Sequence, residues 1–241
     1  MKFSSKYSIF IFSVFLILVS FNSNSQVNYS VEALTGKGDL IFVGDENKLQ
    51  SEVFDAFTKM QKAALKEGVS IQIVSAYRSF ERQNKIWNRK YKASILEGML
   101  PEKSIEKIVE YSTLPGTSRH HWGTDIDIVD GSKIQPTHVL TTVHYENEGV
   151  FSDLKKWMDK NARKFGFYLV YTNKNTRKGF KYEPWHYSYK KIAKPMLKQF
   201  RNIDFSSFMN SNNLEGFKFI TPQFIKKYTK ENILDINTQL K

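Results

Sequence analysis

Two short passages decide how this sequence is read: Ser118-Arg-His-His-Trp-Gly-Thr-Asp-Ile-Asp127 and Tyr182-Glu-Pro-Trp-His186. Together they hold three of the five histidines of the chain and three carboxylates. A catalytic zinc site uses three His or carboxylate ligands and an open position for water. It also needs a nearby carboxylate that takes the proton of that water. The two passages can supply all of these groups.

The second passage needs a local bend if its charged side chains are to act together. Glu183 and His186 are three residues apart, and on a regular strand they would point to opposite faces. Pro184 lies between them and does not fit inside a helix. We therefore expect a turn or bulge that brings Glu183 and His186 towards one metal ion.

The first passage leaves the choice of ligands open. His120 and His121 are adjacent, and Asp125 and Asp127 share one face of a predicted strand. Gly123 lies between the two pairs and permits the bend that returns the chain to the same point. Spacing alone does not choose one histidine and one aspartate from these pairs.

The pattern around the two passages predicts an α+β fold with a small sheet, because helices and strands alternate in mixed order. Helical periodicity and strand alternation indicate where the elements lie. The predicted helices are residues 47–68, 80–98, 104–111 and 151–165, and the predicted strands are 69–75, 124–129, 167–172 and 187–189. From residue 190 onwards, short helices with polar connectors are expected.

Composition excludes several kinds of site. The 241 residues contain no cysteine, which excludes a disulfide framework, a thiol nucleophile and a Cys-ligated metal. The formal net charge is +12, from 36 Lys and Arg against 24 Asp and Glu. Such a charge suits an anionic envelope surface or substrate. No recognition motif for nucleic acid accompanies the charge, so we predict no nucleic-acid partner.

The N-terminus has the three-part pattern of a secretory signal peptide. Lys2 and Lys6 precede the apolar run 7–19, and a short segment that is mostly Ser and Asn follows up to Ser25. The apolar run is shorter than the roughly 20 residues that a spanning helix needs. We therefore predict cleavage after residue 25 and an exported protein without a membrane span, although a retained anchor is the alternative.

A third passage, Ser75-Ala-Tyr-Arg78-Ser, follows a predicted strand and opens a predicted helix. Arg78 would lie at the end of that strand, where loops often carry function. Its guanidinium could bind a carboxylate at two points. An ordinary surface arginine is the alternative interpretation.

Taken together, the three passages resemble the VanY-like zinc D-alanyl-D-alanine carboxypeptidases, a family grouped with lysostaphin-type peptidases and the hedgehog domain. The family signature S-x-H-x-x-G-x-x-x-D followed by E-x-x-H appears as Ser118, His120, Gly123 and Asp127, and then Glu183 and His186. The earlier S-x-Y-R-S element corresponds to residues 75–79. The resemblance covers roughly residues 47–189 and implies a small, mainly antiparallel sheet flanked by helices. One departure is Asp125, where family members often carry a small apolar residue.

The resemblance implies a mechanism and a set of site residues. It implies one Zn²⁺ per chain, held by His120, Asp127 and His186, with Glu183 as the general base. It further implies that Arg78 binds the C-terminal carboxylate of the substrate, with contact to the oxyanion as the alternative role. Ser118 is expected to help, and Gln83, one helical turn on, is a weaker substrate-binding candidate.

The implied function is removal of the terminal D-alanine from peptidoglycan stem peptides by an exported, monomeric protein of the periplasm or cell envelope. An L,D-carboxypeptidase or an endopeptidase on the same scaffold is one alternative, because the metal ligands do not distinguish these activities. A non-catalytic, zinc-containing envelope-binding protein is the other alternative. The expected organisation is a signal peptide (1–25), a lead-in (26–46), a catalytic domain (47–189) and a helical C-terminal extension (190–241).

Overall fold

The helices and strands of this protein form an α+β fold. The computed structural model describes residues 27–38, 40–205 and 213–241. The helices are α1 (Val31–Thr35), α2 (Ser51–Lys66), α3 (Phe80–Leu96), α4 (Pro101–Ile108), α5 (Ser152–Asn161), α6 (Lys190–Phe200) and α7 (Pro222–Tyr228). The strands are β1 (Ile71–Ser75), β2 (Asp125–Asp130), β3 (Phe167–Leu169) and β4 (His186–Tyr189). Short 3₁₀ turns include Arg119–Trp122 and Ala162–Phe165, and Thr229–Ile233 forms a π turn.

The sheet has the order β1-β2-β4-β3, and each neighbouring pair is antiparallel. The predicted α+β class with a small antiparallel sheet is therefore confirmed. In the β2–β4 ladder, Asp127 lies opposite His186 and Asp125 lies opposite Ser188. This register places residues from both sequence passages side by side, although about 60 residues separate them in the chain.

Helix α2 shows why the periodic segments fold as predicted. Val53, Phe57, Met60 and Ala64 are its buried residues, and their spacing puts them on one face. That face packs into one hydrophobic cluster with apolar residues of β1, β2 and α5. Burial of this stripe stabilises the helix more than intrinsic propensity does.

Some predicted boundaries were wrong. Helix α4 spans Pro101–Ile108, whereas the prediction was 104–111. Pro101 occupies the first turn, where the missing N–H of proline is no loss and its fixed φ suits a helix. The predicted helix 151–165 ends as α-helix at Asn161 and continues as a 3₁₀ turn to Phe165.

The segment after residue 190 packs against the rest of the fold. Met196, Phe200, Tyr228 and Leu240 are buried in a second hydrophobic cluster that also contains Trp87 of α3. The Tyr228 hydroxyl accepts a hydrogen bond from the backbone N–H of Leu114 at 3.0 Å and lies 2.8 Å from the Thr117 hydroxyl. The C-terminal segment therefore supports the loop that leads to the first sequence passage.

In the part of the chain that the structure describes, no helix combines the length and the apolar character needed to cross a bilayer. The predicted signal peptide, residues 1–25, lies outside the described residues.

Candidate metal centre and active site

Three buried side chains from the two passages meet at one point: His120, Asp127 and His186. Each offers one ligand atom, and these atoms all lie within 4.8 Å of one another. Nε2 of His120 lies 3.3 Å from Asp127 Oδ2, and Nδ1 of His186 lies 3.8 Å from Asp127 Oδ1. The separations are those of a compact donor set around a common centre.

A short turn and a strand position the first two of these side chains. The 3₁₀ turn Arg119–Trp122 carries His120, and the Ser118 hydroxyl caps it by accepting from the His120 N–H. Gly123 ends the turn at φ 62°, in the left-handed region that glycine adopts without strain. The predicted bend at Gly123 is confirmed. Strand β2 then begins and brings Asp127 back to the same point.

Hydrogen bonds fix which nitrogen of His120 faces the centre. Nδ1 of His120 lies 2.8 Å from the carbonyl oxygen of Ala76. A carbonyl oxygen only accepts, so Nδ1 carries the proton and donates it. Burial lowers the pKa of His120, which favours the neutral ring. Nε2 is then an acceptor, and it faces a carboxylate oxygen of Asp127.

The unsatisfied acceptors of this cluster fit a divalent cation. The Asp127 Oδ1 atom is buried and has no hydrogen-bond partner. Buried polar atoms without partners are rare and costly. Oδ2 of the same carboxylate faces the lone pair of His120. A cation among these atoms would satisfy all of the acceptors, and two imidazoles with one carboxylate are a donor set that zinc uses.

His186 lies between two carboxylates. Its Nε2 is 3.0 Å from Asp125 Oδ2, and its Nδ1 is 2.9 Å from Glu183 Oε2. Burial lowers the pKa of His186, but the hydrogen bonds with Asp125 and Glu183 outweigh burial and raise this pKa to about 10. If His186 holds a cation through Nδ1, that nitrogen would have to lose its proton, because a ligand nitrogen must be unprotonated.

Glu183 is brought to the centre by a turn. The His186 N–H donates to the Glu183 carbonyl at 3.1 Å, with Pro184 between them. This is the bend that the sequence predicted for the second passage. The Glu183 side chain is buried, and burial raises its pKa above the ordinary value even though contact with His186 lowers it. A carboxyl group with a raised pKa suits proton transfer near neutral pH.

Arg78 lies beside the centre, held by two hydrogen bonds. Its Nη1 donates to Gln83 Oε1 at 2.8 Å, and its Nη2 donates to the Ser75 hydroxyl at 2.9 Å. Nη2 is also 4.0 Å from Asp127 Oδ2. Gln83 is fully buried, and its amide nitrogen donates to the Thr113 carbonyl. The structure therefore places Gln83 behind Arg78, where it orients the guanidinium.

Both open choices of the first passage have structural answers. His121 is fully buried, accepts from the Gly116 N–H and contacts the Arg78 carbonyl through Nδ1. Burial lowers the pKa of His121 to about 3, so this ring is neutral. Asp125 forms an ion pair with Arg119. The donor set around the centre contains neither His121 nor Asp125.

A cavity of about 560 Å³ opens onto the centre. His120, Asp127, Glu183 and His186 line it, together with Arg78 and Ser118. Gln83 is absent from the lining residues.

Two further residues of the cavity wall were not singled out from the sequence. Tyr171 stands with its ring centre 5.1 Å from that of His186, in an edge-on arrangement. Lys90 of α3 lines the cavity and donates to the Ser112 hydroxyl at 2.6 Å. No motif marks either residue, so only the packing of distant segments identifies them.

The chain is similar to several known proteins. YodJ of Bacillus subtilis (strain 168) is 34% identical over 151 residues, which cover 61% of this chain and 48% of the relative. A D-alanyl-D-alanine carboxypeptidase of Enterococcus faecium is 27% identical over 203 residues, 80% of this chain and 56% of the relative. The matched segments thus span about half the length of these two relatives.

A solved structure of VanYB in complex with D-alanine-D-alanine has the same fold. It aligns with a TM-score of 0.53 and 21% identity, over 73% of this chain and 91% of that chain. A VanY variant from a VanB-type resistance cassette, solved in complex with Zn(II), aligns with a TM-score of 0.51, at 21% identity over 71% of this chain and 89% of that chain.

The family model VanY, described as D-alanyl-D-alanine carboxypeptidase, matches residues 46–192. That range is well over half of the chain and contains the whole donor set, Glu183 and Arg78. On this evidence, the chain belongs to the VanY family of D-alanyl-D-alanine carboxypeptidases.

Proposed function

We propose that this protein is a zinc-dependent carboxypeptidase that removes the terminal D-alanine from peptidoglycan stem peptides. The observation that carries the proposal is the buried His-Asp-His donor set, with its unpartnered carboxylate oxygen, beside a buried glutamate. Membership of the VanY family supports the substrate class. The D-alanine-D-alanine and Zn(II) named for the two structural neighbours are consistent with it.

His120, Asp127 and His186 would hold the zinc ion. When bound, Zn²⁺ supplies Lewis-acid polarisation of the scissile carbonyl and lowers the pKa of a water molecule towards 7. The remaining chemistry belongs to side chains of the chain. The Ala76 carbonyl holds the His120 ring by its Nδ1–H, so that Nε2 faces the centre throughout.

Glu183 is the proposed general base. Its carboxylate accepts the proton of the attacking water and then donates that proton to the departing amine of the terminal residue. The raised pKa of the Glu183 carboxyl group suits both transfers, because a pKa nearer the working pH makes taking up and giving up the proton comparably easy. Its burial excludes bulk water, which strengthens each electrostatic contact in the site.

Arg78 is the proposed binding residue for the free C-terminal carboxylate of the peptide. A guanidinium provides a planar fork that matches a carboxylate at two points. Gln83 and Ser75 fix its orientation in advance, which reduces the entropy lost when the substrate binds. Ser118 lies in the lining of the same cavity and is the second proposed contact. We assign Gln83 an orienting role behind Arg78.

We also propose that the protein is exported and acts in the periplasm or cell envelope as a monomer. The signal-peptide pattern of residues 1–25 and the basic composition support this location. The catalytic unit is proposed to be residues 47–189, after the lead-in 26–46, with residues 190–241 as a C-terminal extension.

The test uses purified, zinc-loaded protein and three synthetic stem peptides. A pentapeptide ending in D-Ala-D-Ala is expected to lose one D-alanine, seen by mass spectrometry as a single tetrapeptide product. Cleavage only of a tetrapeptide ending in L-Lys-D-Ala would indicate an L,D-carboxypeptidase. Cleavage of a cross-linked dimer would indicate an endopeptidase. Stoichiometric zinc without any cleavage would indicate a non-catalytic binding protein. Removal of zinc by a chelator is expected to abolish turnover, and added Zn²⁺ should restore it.

A further inference from the structure

Asp125 is a buried carboxylate that the proposed mechanism leaves without a role. It is fully buried in β2, and both of its oxygens have hydrogen-bond partners. Oδ1 accepts from the hydroxyls of Thr124 at 2.8 Å and Ser188 at 2.6 Å. Oδ2 accepts from Arg119 Nε at 2.8 Å and lies 3.0 Å from His186 Nε2. Because both oxygens accept hydrogen bonds in a buried site, the position of the carboxylate is fixed.

The sheet register explains how Asp125 reaches a residue of the metal centre. Asp125 and Asp127 are two apart on β2, so both point to the same face. On the neighbouring strand, Ser188 lies opposite Asp125 and His186 lies opposite Asp127. The contact between Asp125 and His186 is therefore a diagonal contact across the ladder. Diagonal neighbours of this kind are within reach of long side chains.

The contact determines which nitrogen of His186 is available for a metal. With Nε2–H donated to Asp125, only Nδ1 remains, and Nδ1 points towards Asp127 and Glu183. His120 has the reverse arrangement, because its Nδ1–H is donated to the Ala76 carbonyl. Metal-binding histidines usually donate the other ring N–H to a carboxylate or a carbonyl, which fixes the tautomer and makes the ring a better ligand.

We infer that Asp125 is a positioning residue that holds His186 by its Nε2–H and so presents Nδ1 to the zinc ion. The inference rests on the proposed zinc function. Arg119 balances the charge of Asp125, and its Nη2 donates to Ser188 at 2.6 Å, which ties the ion pair to β4. The same passage that supplies His120 thus also supplies the support for His186. Asp125 contacts neither the substrate carboxylate site nor the donor atom itself.

The first measurement is the zinc dissociation constant, obtained by competition with a chromophoric chelator. Asp125→Ala is expected to weaken zinc binding about 10- to 100-fold, the usual cost of losing such a partner. Asp125→Asn keeps an acceptor oxygen without the charge, so its affinity should lie between those of Asp125→Ala and the wild type. The matched control is Asp130→Ala, since Asp130 is a buried aspartate of the same strand that accepts from Ser132. Its zinc affinity should equal that of the wild type.

The second measurement reads the ring directly and needs no variant. In ¹⁵N-labelled, zinc-loaded wild-type protein, a long-range ¹H–¹⁵N spectrum should show the proton of His186 on Nε2 and the metal on Nδ1. This measurement decides the matter even when Asp125→Ala fails to fold because Arg119 has lost its partner. A purely structural role would lower the melting temperature of Asp125→Ala without changing zinc affinity.

Three outcomes separate the hypotheses. Weakened zinc binding in Asp125→Ala, partial recovery in Asp125→Asn and an Nε2 proton in the wild type support the inference. A folded Asp125→Ala with zinc affinity within threefold of the wild type, or a wild-type proton on Nδ1, overturns the inference and leaves the proposed function intact. Failure of the wild-type protein to bind zinc overturns the proposed function, and this inference with it.

Discussion

Replacement of Glu183 by glutamine is the sharpest test of the proposed chemistry. Glutamine keeps the shape of the side chain but cannot accept a proton at neutral pH. The Glu183 carboxylate lies 2.9 Å from His186 Nδ1, and it is not one of the three grouped donors. We therefore expect Glu183→Gln to bind zinc in a 1:1 ratio while losing hydrolysis.

The size of the fall in kcat/KM depends on whether another carboxylate of the site could act as the base. General acid–base catalysis contributes about 10²- to 10⁴-fold, equivalent to about 2.7–5.4 kcal/mol of transition-state stabilisation. Among the described residues that line the cavity, Asp127 and Glu183 are the only carboxylates. Asp127 is a proposed ligand, and Asp125 has both oxygens occupied. No replacement base is therefore at hand, so we expect kcat/KM to fall by about 10³-fold or more.

The assay measures D-alanine release from a pentapeptide, with zinc content determined on the same samples. Glu97→Gln is the matched control, because Glu97 is an exposed carboxylate that pairs with Lys107 at the surface. Its kcat/KM should equal that of the wild type. If Glu183→Gln with full zinc occupancy retains kcat/KM within threefold of the wild type, the assignment of the base is wrong.

Three further predictions test substrate binding, the turn and the C-terminal segment. Arg78→Lys keeps the charge but loses the planar guanidinium fork, so kcat/KM for a peptide with a free C-terminal carboxylate should fall about 10- to 100-fold. A C-terminally amidated peptide should be cleaved equally poorly by the wild type and the variant. An undiminished preference of the variant for the free acid would contradict the role of Arg78. Gly123→Ala should destabilise folding by at least about 1 kcal/mol in urea unfolding, because φ is 62° and the new Cβ would overlap a ring carbon of Phe42. An unchanged midpoint would refute this. Tyr228→Phe should lower the free energy of unfolding by about 1–3 kcal/mol, because it leaves the buried N–H of Leu114 without a partner. Equal stability of the variant and the wild type in thermal unfolding would show that the hydroxyl does not stabilise the loop that contains Leu114.

The sequence was sufficient for features that depend on neighbouring residues. The stripe of Val53, Phe57 and Met60 predicted α2, because helical periodicity is a local property. Gly123 predicted the bend, because only its own backbone freedom is involved. The pattern of the three passages, read as a resemblance, also predicted a VanY-family chain.

Spacing alone left the donor set open, and the family resemblance implied His120, Asp127 and His186. The tertiary structure brings these three residues together and supplies the physical reason for the choice, which is strand register. His120 and His121 are neighbours in the chain, but their side chains have different partners. His120 faces Asp127, whereas His121 contacts the backbone groups of Arg78 and Gly116. Asp125 and Asp127 share a strand face. The pairing of β2 with β4 places Asp127 opposite His186, and it brings Asp125 into a diagonal contact with the His186 ring that the sequence did not predict. The hydrogen bond between Asp125 and His186 joins residues 61 positions apart, so no local pattern of the sequence records it.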